Sequence, residues 1–217
     1  MNKIFICVSI LLISSIHSDY INGIDVSHHQ GEIDWYDAVD EITFAIIRIG
    51  QGTRIIDEQF ENNYNGAKAA GVQLGAYLYC DSLDTAGAEQ EANQVLQLLA
   101  GKQFEWPIYY DIEGDALSGD VNGMATTFCS ILQANNYFCG IYSSASPLST
   151  QFSGEVLSNY AIWVAHYGVD YPGFDGDWGI WQYTSEGSVS GIDGNVDMDY
   201  AQINYADIII SKGFNGY

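Results

Sequence analysis

Positively charged residues are scarce in this 217-residue chain, which has six Lys and Arg against 28 Asp and Glu and a formal net charge of −22. Nucleic acids and anionic membranes are bound through clustered Lys and Arg side chains. The few basic residues here are scattered along the sequence, so we expect no nucleic-acid partner. Repulsion among ionised carboxylates weakens as they take up protons, and we therefore predict that the protein works in an acidic compartment.

Long apolar runs are missing after the first residues. Ile4–Ile13 is apolar but too short to span a bilayer, and it lies between a basic start at Lys3 and the small residues of the stretch 14–18. This pattern predicts a signal peptide over residues 1–18. The remaining chain, 19–217, is predicted to follow the secretory pathway without a membrane anchor, either to the outside or to an acidic lysosome- or phagosome-like vesicle, and to be a monomer.

Cysteine is also rare. Cys7 falls within the predicted signal peptide, which leaves Cys80, Cys129 and Cys139. Cys129 lies in a predicted helix and Cys139 at the start of the next predicted strand, so a local disulfide between them fits an oxidising pathway. We expect Cys80 to be a buried free thiol rather than a nucleophile.

Several motifs of known chemistry are absent from the sequence. It contains no HExxH or Cys/His ligand spacing, no GxSxG elbow, no GxGxxG and no phosphate-binding loop. We therefore predict no metal and no cofactor, and we set aside serine-hydrolase and nucleotide-binding functions.

Strand-like and helix-like segments alternate along most of the chain, which favours a parallel sheet. Strands are predicted at 21–26, 44–50, 73–80, 106–113 and 138–143, and helices at 60–70, 85–100 and 121–136. Later strands are predicted, without an obvious helix between the first two of them, at 161–166, 179–184 and 195–200. We therefore predict an α/β fold: an irregular (β/α) barrel of about five βα units followed by about three strands that lack full helices. No linker or repeat interrupts it, so a single domain over 19–217 is expected.

The most informative segment is Trp106–Gly114, an apolar, aromatic strand that ends in two acids, Asp111 and Glu113. Side chains two residues apart on a strand share a face, so both carboxylates are expected to point the same way. Burying carboxylates in an apolar strand is costly unless they serve a function. We therefore predict that this pair is catalytic.

Three further acids lie in the first and last predicted strands: Asp25, Asp197 and Asp199. These strands are neighbours if the barrel closes, so Asp25 and Asp197 are expected at the same mouth as Asp111 and Glu113. Any single acid in so acidic a chain is most often a surface residue. Carboxylates crowded together, however, hold one of their number protonated, which is what a glycosidase requires of its proton donor.

Aromatic residues recur in the predicted strands, and about half of them are expected to be core. The others suit a sugar platform, because a ring face accepts the apolar face of a sugar while hydroxyl and amide groups bond its hydroxyls. The residues predicted to bind substrate are Tyr77, Tyr110, Tyr142, Trp163, Trp181, Gln182 and Asp199.

Three segments in this order resemble glycoside hydrolase family 25, the Chalaropsis-type lysozymes: Gly23–Trp35, Tyr110–Glu113 and Ile180–Thr184. The closing run Gly191–Asp199 is similar to the ending of that family, in which Asn is more usual at the position of Asp199. The second His of Ser27-His28-His29-Gln30 is another departure, since the family often has an aromatic residue there. The resemblance covers about residues 21–205.

This resemblance implies an irregular β/α barrel that cleaves the β-1,4 bond between N-acetylmuramic acid and N-acetylglucosamine in bacterial peptidoglycan. It assigns the proton donor to Glu113. Asp111 would position or stabilise the reacting N-acetyl group or cation, and Asp25 and Asp197 would complete the acidic floor.

Three other functions compete with this interpretation. Family 18 chitinases also end a barrel strand in Asp-x-Glu, but they carry a further Asp two residues earlier, where this chain has Tyr109. An inactive glycan-binding protein is a second alternative, although all the candidate acids are present. A secreted storage or structural protein would explain the acidity and the Tyr content but not the motifs.

Overall fold

The computed structural model describes residues 20–217, and the predicted signal peptide lies outside the described residues. The strands are β1 Ile21–Val26, β2 Phe44–Gln51, β3 Ile55–Ile56, β4 Gln73–Tyr79, β5 Ile108–Asp111, β6 Cys139–Ser144, β7 Ala161–Ala165, β8 Ile180–Gly187 and β9 Val196–Ala201. The helices are α1 Trp35–Ala38, α2 Phe60–Ala70, α3 Thr85–Leu99, α4 Val121–Ala134, α5 Ala145–Thr150, α6 Gly154–Asn159 and α7 Tyr205–Lys212. Short 3₁₀ turns occupy His28–Gln30 and Gly114–Ser118.

Eight of the nine strands form a closed barrel. The order along the sheet is β1-β9-β8-β7-β6-β5-β4-β2, and β1 also pairs with β2, which closes the ring. The hairpin strand β3 extends β2. The predicted irregular barrel is confirmed, including its asymmetry: the segments after β7 and β8 contain no helix, and the helix after β1 has only four residues.

The last barrel strand runs against the others. The other seven barrel strands pair with one another in parallel, whereas β9 is antiparallel to both β8 and β1. Because of this reversal, the amino end of β9 lies at the barrel mouth together with the carboxyl ends of the other strands. Asp197, the second residue of β9, therefore reaches the mouth from the start of its strand, not from the end.

Helix boundaries follow local signals in the sequence. Asp84 caps α3 by accepting a hydrogen bond from the Gly87 N–H, and Asp120 caps α4 in the same way through Gly123. Gly71 ends α2 in the left-handed conformation, at φ 87°, which costs a glycine nothing. The predicted bounds of these three helices are confirmed to within two residues.

Alternate strand residues feed two separate cores. The outward set, which includes Ile47, Leu78 and Ile141, packs with the helices in a layer around the barrel. The inward set fills the lower half of the barrel and includes Phe44, Trp106, Tyr109 and Trp163. Sequence reasoning assigned no structure to Tyr205–Lys212, which forms α7. This helix closes the lower end of the barrel, since Tyr205 packs edge-on against Trp106, just before β5.

The cysteines behave as predicted. Cys129 in α4 and Cys139 at the start of β6 form a disulfide, with their Cα atoms 5.3 Å apart. Cys80 is a buried free thiol. Within residues 20–217, no helix combines the length and apolarity needed to cross a membrane.

Candidate active site

A polar cleft of about 470 Å³ opens at the barrel mouth. Its walls come from the mouth-side ends of the strands and the loops that follow them. All four predicted catalytic acids line it: Asp25, Asp111, Glu113 and Asp197. The structure therefore brings together acids that are separated by up to 172 positions in the sequence.

Asp111 and Glu113 enter the cleft from the end of β5. Asp111 is the last residue of the strand and is 4% exposed, whereas Glu113 lies two residues farther out and is half-buried. Both side chains line the cleft, as expected for residues two apart on an extended segment. Within the described residues, Glu113 forms no ion pair and Asp111 Oδ1 is buried without a hydrogen-bond partner.

Asp25 and Asp197 face each other across the seam of the barrel. They are direct partners in the antiparallel register of β1 and β9. Asp199 lies one step deeper on the same face of β9, is 1% exposed, and accepts a hydrogen bond of 2.8 Å from Trp163 Nε1. Asp199 therefore lies beneath the cleft rather than on its wall, a place that favours a supporting role over the predicted direct contact with substrate.

Burial and crowding shift the protonation of the five acids toward the neutral form. Burial, followed by the charges of Asp199 and Asp197, raises the pKa of Asp25 well above its usual value. Burial and then the Glu113 charge do the same to the pKa of Asp111. Burial and then the Asp197 charge raise the pKa of Glu113. The cleft consequently holds protons that isolated carboxyl groups would have lost.

One positive charge opposes this trend. Arg48 projects from β2 into the cleft and lowers the pKa values of Asp111 and Glu113, although less than burial raises them. Its Nη2 donates to Gln51 Oε1 at 3.2 Å, and its guanidinium lies over the Tyr79 ring, 5.6 Å from the centroid. Sequence reasoning missed Arg48, yet the signal was present: a charged residue in an apolar strand, the pattern that pointed to Asp111.

Gln182 links the acids to the aromatic wall. Its side chain accepts hydrogen bonds from Tyr142 OH at 2.9 Å and from Tyr167 OH at 2.5 Å, and its Nε2 donates to Asp25 Oδ2 at 2.6 Å. The predicted residues Tyr77, Tyr142, Trp163 and Gln182 all line the cleft. Tyr79, Tyr167 and His29 also line it and were not predicted. Tyr79 ends β4 on the same face as Tyr77, whereas Tyr167 lies in a loop and His29 in a 3₁₀ turn.

Two predicted substrate-binding residues point away from the cleft. Tyr110 faces the helices: its ring stacks on Phe128 and its hydroxyl bonds with Glu91 and, at 3.0 Å, with Cys80 Sγ. Trp181 also faces outward, packs near Trp178, and donates from Nε1 to the His166 carbonyl. Strand alternation explains both placements, because the neighbours Asp111 and Gln182 occupy the inward face.

The cleft continues at both ends. A hollow of about 320 Å³ adjoins it on one side and shares Glu113, Tyr142 and Tyr167 with it. A second hollow, of about 470 Å³, adjoins the other side and shares Gln51 and Tyr79. The cleft that holds the acids is thus continuous with two further hollows, which together offer room for a chain-like substrate.

Several carboxyl groups with raised pKa values, in a cleft with aromatic and amide walls, are what a glycoside hydrolase needs for acid catalysis and for binding a sugar. A (β/α)-type barrel with its acids at the mouth is consistent with that class. The model of the glycosyl hydrolases family 25 matches residues 24–192. The chain therefore belongs to this family, which confirms the resemblance inferred from the sequence.

Comparison with individual proteins supports the family assignment. The chain is 31% identical over 204 residues to lysozyme M1 of Streptomyces globisporus, covering 82% of this chain and 67% of that protein. Its fold is similar to that of the CTP1L endolysin, with a TM-score of 0.79, 28% identity, and coverage of 89% of this chain and 70% of that one. Its fold is also similar to that of the bacterial lysozyme from Streptomyces coelicolor, with a TM-score of 0.74, 29% identity, and coverage of 86% of this chain and 94% of that one.

Proposed function

We propose that this protein is a muramidase that hydrolyses the β-1,4 bond between N-acetylmuramic acid and N-acetylglucosamine in peptidoglycan, with Glu113 as the proton donor. The observation that carries the proposal is the placement of Glu113: half-buried, lining the groove, without a basic partner inside the described residues, and with a raised pKa. Such a carboxyl group keeps its proton until the leaving oxygen takes it. Family membership and the lysozyme relatives support the substrate assignment.

The other acids take supporting roles in this proposal. Asp111 lines the cleft beside Glu113, where its carboxyl group positions the reacting N-acetyl group or stabilises positive charge at the anomeric carbon. Asp25 and Asp197 form the acidic floor, and Gln182 fixes the orientation of Asp25. Asp199 and Trp163 support this floor from below.

The charge distribution supports work at acidic pH. At neutral pH a net charge of −22 repels anionic cell walls. The cleft acids have raised pKa values, so they ionise at a higher pH than free carboxyl groups but still lose their protons as the pH rises further. Acidification reduces both the repulsion and the loss of the Glu113 proton. An acidified vesicle that receives bacteria, or an acidic external medium, therefore suits the enzyme, which we propose acts as a single catalytic domain and as a monomer.

The alternatives fit less well. The third acid of a family 18 chitinase would occupy position 109, but Tyr109 is fully buried below the cleft and packs against Trp163. An inactive glycan-binding protein would not need carboxyl groups buried at the centre of the groove, because burial without catalysis only costs stability.

The deciding test compares wild type with Glu113→Gln on purified bacterial cell walls at pH 5, with Glu155→Gln on α6 as a matched exposed control. We expect wild type and the control to clear the suspension and to release new reducing ends at N-acetylmuramic acid. Glu113→Gln should be slower by about 10³-fold, within the range for loss of a general acid. Equal clearing by Glu113→Gln would refute its role, and release of N-acetylglucosamine ends or preference for chitin would refute the substrate.

A further inference from the structure

Two hollows follow one another from the cleft along one side of the molecule, and we call their lining the side track. The nearer hollow shares Gln51 and Tyr79 with the cleft and contains Asp81 and Asp115. The farther hollow, of about 510 Å³, lies against α3 and shares Arg54 with the nearer one. The side track is therefore continuous with the catalytic groove and ends on a helix that takes no part in catalysis.

Both arginines of the chain lie on this route, although basic residues are scarce elsewhere. Arg48 lies in the cleft, and Arg54 lies where the two hollows meet. The Arg54 side chain is 80% exposed, and within residues 20–217 it makes one hydrogen bond, from Nη2 to Asp81 Oδ2 at 3.0 Å. A guanidinium has five N–H donors, so most of them face solvent and remain available to a carboxylate.

The farther hollow has the chemistry of a peptide site. Four amide side chains of α3 line it, and their spacing places them along one helix face: Gln90, Asn93, Gln94 and Gln97. Amides donate and accept hydrogen bonds, as a peptide backbone does. Ile56, which is 55% exposed, and Leu98 add apolar surface of a size that suits methyl groups. The lining, which is drawn from the described part of the chain, includes no aromatic ring of the kind that forms a sugar platform.

We propose that the side track binds the peptide stem of peptidoglycan while the glycan strand occupies the cleft, an inference that rests on the proposed muramidase function. Stems are short peptides that carry carboxylates, an amino group in many walls, and alanine methyl groups. Arg54 binds a stem carboxylate, Asp81 and Asp115 attract the amino group, and the α3 amides bond the stem backbone. The track thus makes the enzyme prefer peptide-bearing strands over bare glycan.

The test measures kcat/KM on two soluble substrates: glycan strands with their stems, and the same strands stripped of stems by an amidase. We expect wild type to cleave both and to prefer the strands with stems. The double variant Gln94→Ala/Gln97→Ala should lose about tenfold on stem-bearing strands and stay within about twofold on stripped strands. Arg54→Gln should show the same selective loss, because charge-assisted bonds are the stronger ones.

Two features keep the outcome unambiguous. Asp81 also accepts a hydrogen bond from Gln51, which bonds Arg48 in the cleft, so Arg54→Gln disturbs the cleft as well. Gln94 and Gln97 line the farther hollow and are not among the residues that line the cleft, so the double amide variant is the deciding one. Lys212→Gln on α7, at the opposite end of the barrel, is the charge-matched control and should change neither rate.

Equal losses of the amide variant on both substrates would mean that the track binds glycan, and unchanged rates on both would mean that it binds nothing; either result overturns the stem site while leaving the muramidase function intact. A wild type that cleaves neither substrate refutes both proposals.

Discussion

The barrel interior has two layers of opposite character on the same faces of the same strands. In the lower layer Ile46, Tyr109 and Ile180 are fully buried and pack with the aromatic core. Two residues closer to the mouth, the same strands carry Arg48, Asp111 and Gln182, which line the cleft. A step of about 7 Å along a strand thus separates packing from chemistry.

The difference shows how the protein limits the cost of its acids. The lower layer is closed by α7 and packed tightly; a Cβ added at Gly23 would come within 2.2 Å of the Phe44 ring. The upper layer opens to solvent and links its polar groups through Gln182. Rigidity below therefore holds unfavourably buried carboxyl groups above, which is the arrangement expected of a preorganised acid site.

Placing a carboxyl group in the lower layer should have the largest effect on stability. Tyr109→Asp leaves a cavity and a carboxyl group without a basic partner, and we expect it to destabilise the protein by about 4 kcal/mol or more. Urea denaturation measures the change. Tyr36→Asp, at a position that is 67% exposed, is the control and should stay within about 0.5 kcal/mol. A cost of less than about 2 kcal/mol for Tyr109→Asp would show that the lower layer tolerates charge.

Neutralising an upper-layer acid should separate activity from stability. Asp111→Asn is expected to lower kcat/KM at least about 100-fold. It should also stabilise the protein at pH 7, because burial raises the pKa of Asp111 and an amide removes the cost of the buried charge. The gain should vanish near pH 4, where the carboxyl group is protonated. Asp175→Asn, at an exposed position, should do neither; a destabilised Asp111→Asn at pH 7 would contradict the account.

The acids of the upper layer should also determine how the stability and the activity of the wild-type protein depend on pH. The folded pKa values of Asp25, Asp111 and Asp199 lie well above the ordinary value near 3.9, so the folded protein binds more protons than the unfolded chain. The free energy of unfolding should therefore fall as pH rises from about 4 through these raised values. Activity should fall on the alkaline side as Glu113 loses its proton.

Urea denaturation and wall-clearing assays between pH 4 and 8 measure both trends. Asp25→Asn combined with Asp111→Asn should flatten the stability curve. A free energy of unfolding that increases from pH 5 to pH 8 would contradict the raised pKa values of these buried acids.

The smallest expected effect comes from substituting one tryptophan on each face of the barrel sheet. Trp163→Phe removes the bond to Asp199 and part of the cleft wall, so we expect about a tenfold fall in kcat/KM. Trp181→Phe, on the outer face, should stay within about twofold. Rates on stem-bearing glycan strands, together with melting temperatures, make the comparison. A larger loss of kcat/KM in Trp181→Phe would restore its predicted role in binding.

Much of this site was predictable from local patterns. Asp111 and Glu113 stood out because an apolar strand rarely ends in paired acids, and period-two alternation placed both on one face. The same rule, applied consistently, would have excluded Tyr110 and Trp181 and included Arg48. Tyr167 and His29 were not predictable, because loops and short turns have no periodicity that fixes the direction of their side chains.

The sequence alone determined the order of the eight barrel strands and of the three longest helices, the family, and which acids line the cleft, since these depend on short-range patterning and on the spacing of motifs. Only the tertiary structure decided that β9 runs antiparallel and brings Asp197 opposite Asp25, that Asp199 lies under the cleft, and that α7 closes the barrel. The physical reason is that strand direction, burial and pKa depend on neighbours that are distant in the chain, and contacts of that kind exist only after the barrel has closed.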